Sequence, residues 1–168
     1  MNNQIILLLS VCIILFLCLI FHRNRQKKKP ASNFSYDYSY MPYTKQHLLT
    51  RTEYAFYMIL IEECNARNLL ICPKVRLEDF IYVTDQKNRA KYRGYIKSRH
   101  VDFILTDQSL RLLAAIELDD PSHNTAHAMQ VDEFKNRLFE TIKLPLFRIR
   151  TDEDYKEALE ELFEELGL

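Results

Sequence analysis

Hydrophobic positions along the chain fall into three patterns. Residues 5–21, IILLLSVCIILFLCLIF, form an apolar run without a single charge. The run is near the lower limit for a spanning helix, which usually takes about 20 residues. MNNQ precedes it and the basic stretch HRNRQKKK follows. A cleavable signal peptide carries its positive charge on the opposite side. The positive-inside rule therefore predicts one transmembrane helix over residues 1–22, with the N-terminus outside. It also predicts an inner (plasma) membrane location, with the C-terminal part in the cytoplasm. Residues 23–45 read as a basic juxtamembrane stretch and tether, including PASNFSYDYSYMPY, which has no helical period. One domain is left, over residues 46–168.

Within that domain the period alternates between helix and strand. A helix is predicted to start at Thr50, because TRTE places Glu53 at the capping-box spacing. LLICPKVRL reads as a strand confined to an edge or a bend by Pro73, and EDFIYV as a short helix. DQKNRAKYRGYIKSRH, residues 85–100, reads as a polar, basic loop or a frayed lead-in. HVDFILTD follows as a strand, with Val101, Phe103 and Leu105 on one face and Asp102 and Ile104 on the other. RLLAAIEL is the next strand, with Leu112, Ala114, Ile116 and Leu118 opposed to Leu113, Ala115, Glu117 and Asp119. The short DQSL turn makes these two strands antiparallel neighbours. A helix over residues 126–143 carries Val131, Phe134, Leu138 and Ile142 as a stripe. LPLFRIR is a fourth strand. The last helix is acidic, with Tyr155, Leu159, Leu162 and Leu166 inward. The order helix, three strands, helix, strand, helix predicts a small three-layer α/β domain.

Charge sharpens this picture. The whole chain balances 23 Lys/Arg against 23 Asp/Glu, but residues 1–30 hold five bases and no acid. Residues 31–168 therefore carry 18 bases and 23 acids, a net of −5. Such a balance argues against tight, non-specific binding of a phosphate backbone but leaves room for a local basic face. Lys91, Arg93, Lys97 and Arg99, interleaved with Tyr92 and Tyr95, are candidates for that face or for a solvated edge. The four cysteines show no CxxC or Cys/His spacing, so they predict reduced thiols and neither a zinc site nor a disulfide framework.

Two carboxylates interrupt apolar strands. Asp102 lies in HVDFIL and Glu117 in LLAAIEL. On paired strands the two can meet on one face, where they repel unless one is protonated or a cation lies between them. Hard oxygen ligands suit Mg²⁺, and a metal so held can activate water against a phosphodiester. Asp119 points to the same face as Glu117 and is a third candidate ligand. Each has an ordinary alternative: Asp102 in a strand-end ion pair with Lys97 or Arg99, Asp119 and Asp120 in a DDPS turn.

The succession HVDFIL, AAIELDDPSH, DEFKNRLF and LPLFRIR resembles the PD-(D/E)XK, or restriction-endonuclease-like, superfamily. It is most similar to the branch near the very-short-patch repair endonucleases and to an uncharacterised bacterial domain family of the same layout. The similarity runs over residues 46–150 and includes LLTRTEYAFYMIL and VRLEDF. It implies a restriction-endonuclease-like α-β-β-β-α-β core, Mg²⁺ or Mn²⁺ as cofactor, and hydrolysis of nucleic acid, DNA foremost. Asp102 matches the metal-binding aspartate of the motif and Glu117 its second acid. Glu53 matches an acid on the first helix, or simply completes the capping box.

One departure stands out. The motif places Lys two residues after the second acid, where this chain has Asp119. The patch-repair branch also lacks that Lys, which makes His123 a candidate acid/base. Lys135 is a candidate for the displaced positive charge. Asp132 and Lys135 share a helix face three residues apart and form a possible accessory pair or a surface ion pair. Arg93, Lys97 and Arg99 are the candidate nucleic-acid contacts. The alternative is the same fold without catalysis, binding nucleic acid or a protein partner at the membrane.

Overall fold

The computed structural model describes residues 13–20, 35, 37–120 and 126–168. The chain divides into two compact units, Met1–Thr44 and Lys45–Leu168. In the first, residues 13–20 are helical and exposed. Most of the expected anchor over residues 1–22 lies outside the described residues. Among the described residues no helix is long and apolar enough to cross a membrane.

The second unit is a mixed α/β domain. Its first helix, α1, spans Arg51–Ala66 and starts as the sequence predicts. The Thr50 side chain accepts from Glu53 N, and Glu53 Oε2 accepts from Thr50 N at 2.7 Å, closing the capping box. Phe56, Leu60 and Cys64 recur every fourth residue and are its buried face. Strand β1 (Leu70–Arg76) follows, then the short helix α2 (Leu77–Phe80). Residues 85–100, expected as loop, contain instead a helix, α3 (Arg89–Ile96). Only Ile96 of α3 is buried, so no apolar period marks it in the sequence.

Strands β2 (His100–Thr106) and β3 (Leu112–Asp119) form the expected antiparallel hairpin. Asp107 closes the turn, its Oδ1 accepting from Ser109 N and Arg111 N. Helix α4 (Ala126–Ile142) then carries the chain over to β4 (Leu146–Arg150), which pairs parallel to β3. Helix α5 (Tyr155–Glu165) ends the domain, capped by Asp154. The sheet order is β1-β2-β3-β4, with β1 antiparallel to β2. Pro73 thus lies on an edge strand, where its missing N–H is harmless.

Each sheet face has its own apolar cluster. One joins α1 and α5 to Phe103, Leu105, Ala114, Ile116 and Ile149. The other joins Leu77, Ile96 and Phe139 to Val101, Ile104 and Ala115. Val101 therefore sides with Ile104, and not with Phe103 and Leu105 as strict alternation predicts. Its β1 partner Val75 follows Lys74, whose φ of +54° breaks the regular pleat. A bulge between Leu105 and Thr106 similarly shifts Leu113 to the Ile116 side. Phe134, Leu138 and Ile142 pack as the predicted stripe of α4, joined by the fully buried Phe139. The side chain of Val131 lies outside the described ones.

Candidate active site

The site forms where β1, β2, β3 and β4 carry charge into the sheet. Glu117 lies on β3 with Ala115 of the apolar run two residues before it. It is the only carboxylate among the buried described residues, at 5 % exposure. Its Oε1 accepts a hydrogen bond from Lys135 Nζ of α4. Arg148 stands opposite it in the parallel β3–β4 register, with Nη1 3.4 Å from Oε2. Burial pushes the Glu117 carboxyl above its ordinary range, and the nearby Asp102 charge adds to this. Lys135 and Arg148 pull the other way without reversing it. The interior thus sets a desolvation penalty against two counter-ions.

Asp102 lies one register step beyond the Phe103–Ile116 pair, on the side of Glu117. There the ladder changes partner: Leu118 N donates to Asp102 Oδ2 at 3.0 Å. The carboxylate thereby takes a place that a backbone carbonyl usually fills. Its other oxygen, Oδ1, accepts from Lys74 Nζ at 2.7 Å. The same ammonium donates to Glu53 Oε1 at 2.6 Å. Glu53 thus divides its two oxygens between the helix cap and Lys74: the capping-box reading holds, and the same carboxylate also reaches the Lys74–Asp102 pair. Burial works against Lys74, but its bonds to Asp102 and Glu53 hold its pKa above the ordinary value.

Lys74 has a strained backbone. It sits in a strand with φ of +54°, a left-handed conformation that costs a non-glycine residue about 1–3 kcal/mol. Its place opposite Asp102, between the Pro73–Phe103 and Val75–Val101 pairs, holds it there. Sequence reasoning missed it, since one Lys on an edge strand after Pro73 looks like ordinary edge chemistry.

Asp119, the third candidate ligand, is engaged by Arg148. Both of its oxygens accept from Arg148 Nη1, at 3.1 and 3.0 Å. Arg148 Nη2 lies 3.2 Å from Asp132 Oδ1, without the alignment of a hydrogen bond. Asp132 and Lys135 therefore do not pair with one another, as their spacing allows; each pairs across to the sheet. Arg148 was also missed. A charged residue between Phe147 and Ile149 in a strand beside Glu117 was the available signal. Among the described residues the counter-ion of Asp102 is Lys74, in place of the expected Lys97 or Arg99.

The expected basic face is partly engaged. Arg93 is ion-paired with Glu78 of α2. Arg99 donates to Tyr95 O, and its guanidinium lies over the Phe134 ring, 5.0 Å from the centroid. Lys97 caps α3 and is exposed. His123 lies outside the described residues.

Five carboxylates in this network, Glu53, Asp102, Glu117, Asp119 and Asp132, face three cations, Lys74, Lys135 and Arg148. The formal excess is two negative charges. Among the described residues no three His, Cys, Asp or Glu side chains converge as a ready metal-ligand set. An ammonium stands on Asp102 and on Glu117, and the Arg148 guanidinium on Asp119, the three carboxylates that the sequence offers to the metal.

No curated protein and no solved structure matches the chain. The family model described as "Protein of unknown function (DUF2726)" matches residues 45–166, most of the chain, and the chain belongs to that family.

Proposed function

We propose that the domain is a metal-dependent nuclease-like module of the PD-(D/E)XK type, tethered at a membrane by its N-terminal segment and hydrolysing nucleic-acid phosphodiesters, DNA foremost. The observation that carries this reading is the pairing of Lys135 with Glu117. The motif wants an ammonium beside its second acid, and the chain has Asp119 where that lysine belongs. A lysine from α4 supplies the ammonium at the same carboxylate by another route. Apolar clusters on both faces of the sheet, and an order that is α-β-β-β-α-β once α2 and α3 between β1 and β2 and the final α5 are set aside, support a restriction-endonuclease-like core of three layers.

The donor set suits Mg²⁺ or Mn²⁺ in chemistry. Asp102 and Glu117 would hold the ion, with Glu53 in reserve, and the two excess negative charges match one divalent cation. When bound, such an ion polarises a phosphoryl oxygen and lowers the pKa of water. Lys74 and Lys135 act as internal counter-ions that hold the carboxylates in place. Lys135 then faces charge that develops at the attacked phosphate. Arg148 holds Asp119 and Asp132 and keeps them from crowding Glu117. His123 is the candidate for the proton on the leaving oxygen, and Lys97 and Arg99 for contacts to the nucleic-acid backbone.

A second reading has its own observation. Lys74 and Lys135 already neutralise the two carboxylates, as they would in a catalytically inactive module that binds nucleic acid or a protein partner. Calorimetric titration of Mn²⁺ into the full chain separates the two. The nuclease reading expects binding that Asp102→Asn and Glu117→Gln each abolish. Absence of binding by folded wild-type protein favours the inactive module.

A further inference from the structure

An open groove of about 1150 Å³ lies between the start of α1 and residues 73–74 of β1. His47, Arg51, Tyr54, Tyr57 and Lys74 are among the residues that line it. Its lining carries two permanent cations and a histidine but no acid, although residues 31–168 carry a net charge of −5. Glu53 and Asp102 offset the charge of Lys74, so Arg51 is the cation of this lining that attracts a polyanion, and Lys74 contributes a hydrogen-bond donor. Tyr54 offers its ring to solvent at 56 % exposure. Lys74 joins the groove to the carboxylates: of its three N–H bonds, one goes to Glu53 and one to Asp102. The third remains for an oxygen arriving through the groove. Lys135 does not line the groove and is turned onto Glu117.

We propose that this groove binds a single strand of nucleic acid, with one phosphate against the Lys74 ammonium and one base on the Tyr54 ring. The proposal rests on the nuclease reading of Asp102 and Glu117 and adds the path by which the strand reaches them. A tyrosine face stacks on an unpaired base whatever its sequence. In a duplex the base faces are already stacked, so the groove favours single strands. Arg51, a turn before Tyr54 on α1, supplies the second phosphate contact.

The test is fluorescence anisotropy on the full chain without divalent metal, using dye-labelled oligodeoxythymidine and a duplex of equal length. Circular dichroism verifies the fold of each variant. Wild type is expected to prefer the single strand. Tyr54→Ala and Arg51→Ala, both at exposed positions, are expected to weaken it about tenfold each. Lys74→Met is expected to lower the slope of log affinity against log salt by about 0.7, and Lys74→Arg to retain it. Equal binding of duplex and single strand overturns the proposal. So does affinity unchanged in Tyr54→Ala and Arg51→Ala. Binding that depends on Tyr54 without any cleavage leaves the groove standing and removes the nuclease reading. Metal-dependent cleavage whose KM is unmoved by Tyr54→Ala and Lys74→Met does the reverse.

Discussion

Lys74 and Asp102 face one another across β1 and β2, ammonium to carboxylate at 2.7 Å. The strand partner places them opposite, and Glu53 of α1 receives the same ammonium at 2.6 Å. Three elements are thereby tied at the point where the site opens to the groove.

This tie has a pH signature. Burial works to raise the Glu53 carboxyl, but bonds from Lys74 and Thr50 outweigh it and bring it below its ordinary 4.5. Lys74 is displaced above its ordinary 10.5. A lowered carboxyl contributes stability that is present above the unfolded value and lost as pH falls through the folded one. A raised lysine contributes stability that is present below the unfolded value and lost as pH rises through the folded one. Lys74→Met is therefore expected to be less stable than wild type by a constant amount between these limits. The gap closes below pH 4.5 and above pH 10.5. Urea unfolding across the pH range measures it, and a gap that does not change with pH contradicts the role of these charges.

Lys135 is expected to matter more for stability than an exposed lysine. Removing one partner of a buried pair leaves an uncompensated charge, at about 3–5 kcal/mol. Arg148, 3.4 Å from Glu117, places Lys135→Met near the lower end. The double variant Glu117→Leu with Lys135→Met is expected to recover most of the loss, since neither member of the pair then leaves the other's charge buried and unpaired. Equilibrium unfolding decides it; a single variant as stable as wild type is the contrary result.

Arg148 draws the Glu117 carboxyl downward against burial. Arg148→Met is expected to raise its titration midpoint further, as read by carbon NMR of the carboxyl. Arg148→Lys is expected to restore it only in part, because one ammonium cannot serve Glu117, Asp119 and Asp132 together. An unmoved midpoint in Arg148→Met contradicts a role for Arg148 in setting the charge of the group.

How far the sequence carries can be judged residue by residue. Thr50 and Glu53 mark the first helix because a capping box is a local pattern. Pro73 marks the edge strand for the same reason, and the DQSL turn marks the hairpin. Glu117 shows itself as an acid in an apolar run. Lys74, Arg148 and the direction of Val101 do not, because each depends on a partner from another strand or on a left-handed φ. Helix α3 is hidden because it buries only Ile96. The counter-ions are thus the part of the site that tertiary structure alone reveals.

The helix cap gives a smaller, cleaner expectation. Thr50→Ala removes the acceptor for Glu53 N at the start of α1 and is expected to cost about 1 kcal/mol in unfolding free energy. The bond from Thr50 N to Glu53 Oε2 is a backbone donation and survives the change. Affinity for Mn²⁺ is thus expected to be nearly unaltered. A large loss of metal binding in a folded Thr50→Ala protein indicates that the hydroxyl, not the backbone, positions Glu53.

The most direct test of the proposed function is cleavage itself. The full chain is incubated with supercoiled, linear and single-stranded DNA, and with RNA, in Mg²⁺ or Mn²⁺. Asp102→Ala and Glu117→Ala, verified as folded, stand beside wild type. Metal-dependent cleavage that disappears in both variants is the expected result. A folded wild-type chain that cleaves none of these substrates, or cleavage that persists in both variants, contradicts a hydrolytic site at Asp102 and Glu117.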